Sequence, residues 1–101
     1  KIAEYIRQNL GYIAVGSGST TPTESDTALE AEIASLQAEE VVREGSTVYA
    51  RRWFGSDDAN GVWREAGLKF LDGVLLDRSL LQEFEKTSLK VVLVEYQVIV
   101  S

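Results

Sequence analysis

The sequence predicts a mainly β domain, an antiparallel β-sandwich or small barrel with a short N-terminal helix and a second short helix near residues 26–34. Three observations lead there. Residues 91–100 alternate, with Val92, Val94, Tyr96, Val98 and Val100 on one face while Glu95 and Gln97 interrupt the other. Turn signals recur between short apolar runs, at Glu44-Gly45-Ser46, Asn60-Gly61 and Asp72-Gly73. A chain of 101 residues can build one core and not a second, so its strands must pack against one another.

Taken in order, Ile2, Tyr5, Ile6 and Leu10 recur at spacings of three and four, which places them on one stripe of a helix over residues 1–10 that Gly11 ends. So short a helix is marginal alone, and its stripe is expected to dock on the sheet or on a neighbouring subunit. Tyr12-Ile13-Ala14-Val15 reads as a buried strand opening a β-core over 12–101. The Gly/Ser/Thr run that follows reads as a loop over 16–25. Its two glycines suggest an anion-holding nest, but the Gly-Lys-Ser/Thr ending of a phosphate loop is missing.

Thr27 and Glu30 have capping-box spacing, and Leu29, Ile33 and Leu36 share a helical face, so a helix is expected to start near Asp26. Its end is open on pattern alone, because Leu36, Ala38 and Val42 also fit a strand. Three hairpins are then expected: 41–43 with 47–54, a second across residues 55–61 into 62–71, and a third through Asp72-Gly73 into 74–81.

Composition removes several chemistries. With no His and no Cys, Ser-His-Asp triads, Cys-His pairs, disulfides and ordinary zinc sites are excluded. Ten basic against sixteen acidic residues, a net charge of −6, argues against gripping nucleic acid, and Arg51-Arg52 reads as the solvated side of a strand. No apolar run approaches the roughly 20 residues of a membrane-spanning helix, and the first residues lack a signal peptide's apolar stretch, so a soluble protein is expected. The chain has no Met, as expected of a piece trimmed from a longer product.

Three groups of residues suggest chemistry. Asp57, Asp58 and Asn60 offer hard oxygens for Ca²⁺, but they do not have EF-hand spacing and fit a solvated turn. Glu65, beside Trp63, is the candidate for a carboxylate-based glycosidase; the plainer expectation is that Glu65 pairs with an arginine and Trp63 fills the core. Trp53 and Trp63 flank the Asn60-Gly61 turn, and if they share an exposed face they form a subunit interface or a glycan platform. No catalytic residue, metal or cofactor is expected. The interface candidates are Ile2, Tyr5, Ile6, Trp53 and Trp63.

The order of segments carries a resemblance. Val15-Gly16-Ser17-Gly18-Ser19-Thr20-Thr21-Pro22, then Ser25-Asp26-Thr27-Ala28-Leu29-Glu30-Ala31-Glu32, Phe54-Gly55, Ala59-Asn60-Gly61, Arg64-Glu65-Ala66-Gly67-Leu68, Gly73-Val74-Leu75-Leu76-Asp77-Arg78, Lys86-Thr87 and the closing strand together resemble small tailed-phage structural domains of the tail-fibre or minor tail type. The resemblance spans nearly the whole chain. It implies a strand soon after the Asp26 helix, which would then end near Ile33 or Ala34. It also implies virion assembly, more in the tail than the head, with copies of itself and other virion proteins as partners in a symmetric homo-oligomer. The acidic pair Glu83 and Glu85 departs from it, standing where an apolar run is expected. A capsid decoration protein and a carbohydrate-binding module are the alternatives.

Overall fold

Apolar residues at every second position turn most of the chain into strands, as seen in a computed structural model that describes residues 2–100. Among these residues one helix, α1 (Ile2–Asn9), precedes seven strands: β1 (Leu10–Gly16), β2 (Glu32–Gln37), β3 (Glu40–Glu44), β4 (Thr47–Phe54), β5 (Gly61–Phe70), β6 (Leu75–Lys86) and β7 (Val92–Ile99). They form two antiparallel sheets, ordered β2-β1-β5-β6 and β3-β4-β7. The mainly β, sandwich-like architecture is therefore the one that the alternation predicts.

The core lies between the sheets. Ile13, Val15 and Leu68 of the first meet Val48, Ala50 and Phe54 of the second, all fully buried. Trp63 joins them edge-on, its ring 5.2 Å from Phe54 and 5.7 Å from Phe84, with Nε1 donating to the Ala59 carbonyl at 2.8 Å. Aromatic pairs in this geometry add to what area burial alone contributes.

The chain crosses between the sheets on both sides of the sandwich, tightly on one and loosely on the other. Between β2 and β3 the chain turns from sheet to sheet through Ala38 and Glu39, whose N–H groups donate to the carbonyls of Gly11 (2.8 Å) and Arg51 (2.9 Å). On the opposite side no ladder joins β6 to β7 among the described residues, and their Cα atoms lie mostly more than 8 Å apart. Shallow hollows of about 340 and 390 Å³ run along this seam, lined by Leu76, Phe84, Val94, Tyr96 and Val98 among others.

Tyr96 Oη is buried in the seam, and no group among the described residues meets hydrogen-bond geometry with it. Burial pushes the phenol up to about 12; the Ser79 hydroxyl opposes that shift and the Asp77 carboxylate adds to it. Ser79 donates its own proton to Asp77 at 2.8 Å. Tyr96→Phe is therefore expected to raise stability by about 1 kcal/mol, since it removes an unpaired buried hydroxyl and keeps the ring. A higher urea midpoint checks this; an unchanged or lower one would show that the hydroxyl has a partner.

Several expectations are corrected. No helix forms over 26–34: residues 17–31 are an irregular excursion from β1 to β2, and residues 32–34 are already strand. The capping box fails because Glu30 turns its carboxylate to the N–H groups of Ser19 and Thr20. The loop expected over 16–25 is correspondingly longer. Next, the Asn60-Gly61 turn is not a hairpin, because β4 and β5 belong to different sheets and the segment crosses between them. Its positive φ falls on Ala59 (54°) and Gly61 (143°) rather than on Asn60. Finally, the helical stripe is divided: Ala3, Ile6 and Leu10 face the core, whereas Ile2 and Tyr5 are exposed. Strand β1 starts at Leu10, so Gly11 does not stop the helix but lies within the strand. A Cβ there would meet the Leu71 backbone at 2.7 Å.

The remaining turns follow their sequence signals. Gly45, with φ 62°, opens the two-residue loop of the β3–β4 hairpin, and Gly73, with φ 89°, sits in the β5–β6 turn. The strand expected over 74–81 continues to Lys86 as β6. There Glu83 and Glu85 take the exposed side, and Glu83 pairs with Arg64 at 3.0 Å.

Candidate functional site

Glu65 is the least ordinary residue in the chain, a carboxylate with no solvent exposure in the middle of a sheet. It sits on β5 and points at the 17–31 excursion. Oε1 accepts from Arg78 Nε (2.8 Å) and the Glu30 N–H (2.9 Å), while Oε2 accepts from the N–H groups of Gly18 and Ala31 (both 2.8 Å). Four donors occupy the roughly four lone-pair positions of a carboxylate. Burial works to raise its pKa; Arg78 first, then the Ala31, Glu30 and Gly18 N–H groups, outweigh this and hold it below the ordinary carboxylate value.

The sequence admits the carboxylate because glycines surround it. A Cβ on either Gly16 or Gly18 would stand 2.6 Å from Glu65 Oε2. Arg78, supplied by the neighbouring strand β6, is almost as buried and reaches onward to Asp26 Oδ2 (3.3 Å) and Thr20 Oγ1 (3.4 Å). Asp26 in turn accepts from the Thr23 N–H at 2.9 Å, and this bond, the Thr23 hydroxyl and Arg78 lower its pKa. One buried ion pair thus fastens both limbs of a long loop to the sheet.

A second buried charge does the same at the far end of β6. Lys86 Nζ donates to the carbonyls of Gly55 (2.7 Å) and Thr87 (3.2 Å) and to Asn60 Oδ1 (3.0 Å). Asp58 Oδ2 accepts from the Gly55 N–H at 2.8 Å. Of the side chains that suggest a Ca²⁺ loop, Asn60 therefore meets an internal ammonium and Asp58 a backbone turn, while Asp57 is exposed. Among the described residues no three acidic side chains gather as a metal cluster. Lys86→Met keeps the apolar stem and removes the ammonium, while the Gly55 and Thr87 carbonyls keep the N–H groups of Asp58 and Lys90; it is expected to lose about 1 kcal/mol, with faster amide exchange over 55–60. Unchanged exchange there would show that the turn holds itself.

The interface candidates separate. Trp63 is 2 % exposed and belongs to the core, whereas Trp53 is 51 % exposed on the outer face of β4, so the two do not share an exposed face. Trp53 stands across from Leu93 of β7, also exposed. Ile2 and Tyr5 are free on the outer side of α1, with Tyr5 edge-on to Phe70 at 6.4 Å, and Ile6 is buried beneath. Sequence reasoning singled out Glu65 but missed Arg78 and Lys86. Parity gave no signal for them, because the ladder of β6 with β5 shifts register twice and the even positions Leu80 and Gln82 are exposed.

The strand edges complete the picture. On the outer face of the second sheet Glu40, Arg51 and Glu95 lie side by side on β3, β4 and β7, joined by ion pairs of 3.0 Å and 2.7 Å. No family model matches the chain, and no curated protein matches it at a significant level.

Proposed function

We propose that the chain is a non-enzymatic structural subunit of a tailed-phage virion, positioned in the tail, baseplate or fibre attachment and working through contacts with copies of itself and other virion proteins. The observation that carries this reading is the use made of the buried charges. Glu65, Arg78 and Lys86 are each committed to bracing a loop, and Glu65 keeps no lone pair for a substrate. Such bracing suits a rigid building block better than a reactive cleft. The collinear resemblance to phage tail domains supplies the setting.

Apolar groups left outside the core support contact-making. Ile2 and Tyr5 on the helix, Leu71 and Val74 at the β5–β6 turn, and Leu89 after β6 are all exposed. The glycan alternative is left with Trp53 as its one exposed tryptophan, since Trp63 is internal.

Location in the purified particle tests the proposal. Cryo-electron microscopy or immunogold labelling should find the chain on the tail. Density on the capsid lattice would replace this reading with a decoration protein, and absence from the particle would remove the virion role.

A further inference from the structure

The sandwich has four strand edges, and three are protected against pairing with another chain. Strand β2 is six residues long, begins on Glu32, and shifts register against β1 at Val15/Gly16. Strand β3 is five residues long and carries Glu40, Arg43 and Glu44. The ladder of β6 with β5 is broken twice: Trp63 and Glu65 face Phe84 and Leu80, leaving extra residues on β6, and a second shift follows near Leu68. Short, charged and bulged edges are the usual defences against unwanted strand addition.

Strand β7 has none of these. It pairs with β4 over eight consecutive residues without a register shift, carries no proline, lysine or arginine, and has Glu95 as its sole charge. Its other edge faces the open seam, where Val94, Tyr96 and Val98 are only half-buried. A regular apolar edge beside an open seam is a template for one more strand.

Charge selects the occupant. Across the outer face the signs run negative, positive, negative from Glu40 through Arg51 to Glu95. The next position is adjacent to Glu95, and a cross-strand cation there is favoured. The chain's own edges do not supply one. Pairing β7 with β7 of a second copy brings only carboxylates, and the outward residues of β3 are Glu40, Val42 and Glu44. On the seam side the charged lining residues are Asp77 and Glu95, again acidic.

We infer that β7 accepts a strand from a different protein, one that alternates apolar residues with a Lys or Arg placed opposite Glu95. Its apolar side chains cover the seam over Leu76, Phe84 and Tyr96, and its backbone pairs with the free edge of β7. This deepens the assembly reading above and rests on it for the identity of the setting.

The probe is a capped peptide of eight residues, the length of β7, alternating Val with Thr and carrying one outward Lys; the control carries Glu in its place. Titrated into the isotope-labelled chain, the Lys peptide should shift and protect amides over residues 92–99, and bind about fivefold tighter than the Glu peptide. Glu95→Lys, an exposed substitution, should reverse that preference. Equal binding of the two peptides, protection at β3 or β6 instead, or no binding at millimolar peptide would overturn the inference. Binding by a chain absent from the particle would keep the strand site and remove the virion role. A chain found in the particle that binds neither peptide would do the opposite.

Discussion

Glu65→Ala is expected to lower the stability of the domain by about 4 kcal/mol, because it leaves the buried Arg78 guanidinium with only the longer contacts to Asp26 and Thr20. Three N–H groups, those of Gly18, Glu30 and Ala31, lose their acceptor in the same stroke. Set against the roughly 5–15 kcal/mol that holds an ordinary domain folded, this is a large share, visible as a fall of about 2–3 M in the urea midpoint. The double variant Glu65→Leu, Arg78→Leu separates the two causes. Replacing a buried ion pair by packed apolar groups is often neutral, but here the three N–H groups would still be unpaired. The double variant should therefore stay well below the wild type. Full recovery would mean that the ion pair alone accounts for the loss.

The same carboxylate sets a pH dependence. Its pKa is lower in the folded chain than the ordinary value of 4.5, so as pH falls the unfolded chain takes up the proton first. The stabilisation is present above 4.5 and is lost as pH drops through the folded value. Asp26 and Glu30, also lowered, act in the same direction. Urea midpoints measured from pH 6 down to pH 3 should fall, and Glu65→Gln should flatten the slope.

Trp63→Ala is the second large effect, about 4 kcal/mol, from a cavity between Phe54 and Phe84 and the loss of the bond to Ala59. Trp53→Ala, removing a half-exposed ring, should cost under about 1 kcal/mol. A pair of urea titrations checks both. Comparable losses would contradict the division of the two tryptophans between core and surface.

These contrasts show what the sequence could and could not say. Alternation alone located β4 and β7, because a residue's face follows directly from its parity. Glycine at Gly45 and Gly73 located two hairpins, because the positive φ is a local demand. The Asn60-Gly61 signal misled because turn chemistry specifies a reversal of the chain and is silent on which sheet the next strand joins. The helix near Asp26 failed for a tertiary reason: the Glu30 and Ala31 N–H groups, donors in any local scheme, found a buried acceptor on β5. Glu65 was legible as unusual from its place beside Trp63. Its four partners were not, since they come from segments 13 to 47 residues away in the chain.

The position of β1 has a consequence for biosynthesis. It lies between β2 and β5, and its ladder with β5 joins residues as distant as Leu10 and Phe70. At about 5–20 residues per second, a ribosome delivers β5 several seconds after β1. Throughout that interval the apolar residues Tyr12, Ile13, Ala14 and Val15 have β2 for company and little else. The β1–β5 ladder, and with it the acceptor that organises residues 17–31, can form only after roughly two-thirds of the chain has been made, so the nascent segment would be a natural client for a chaperone.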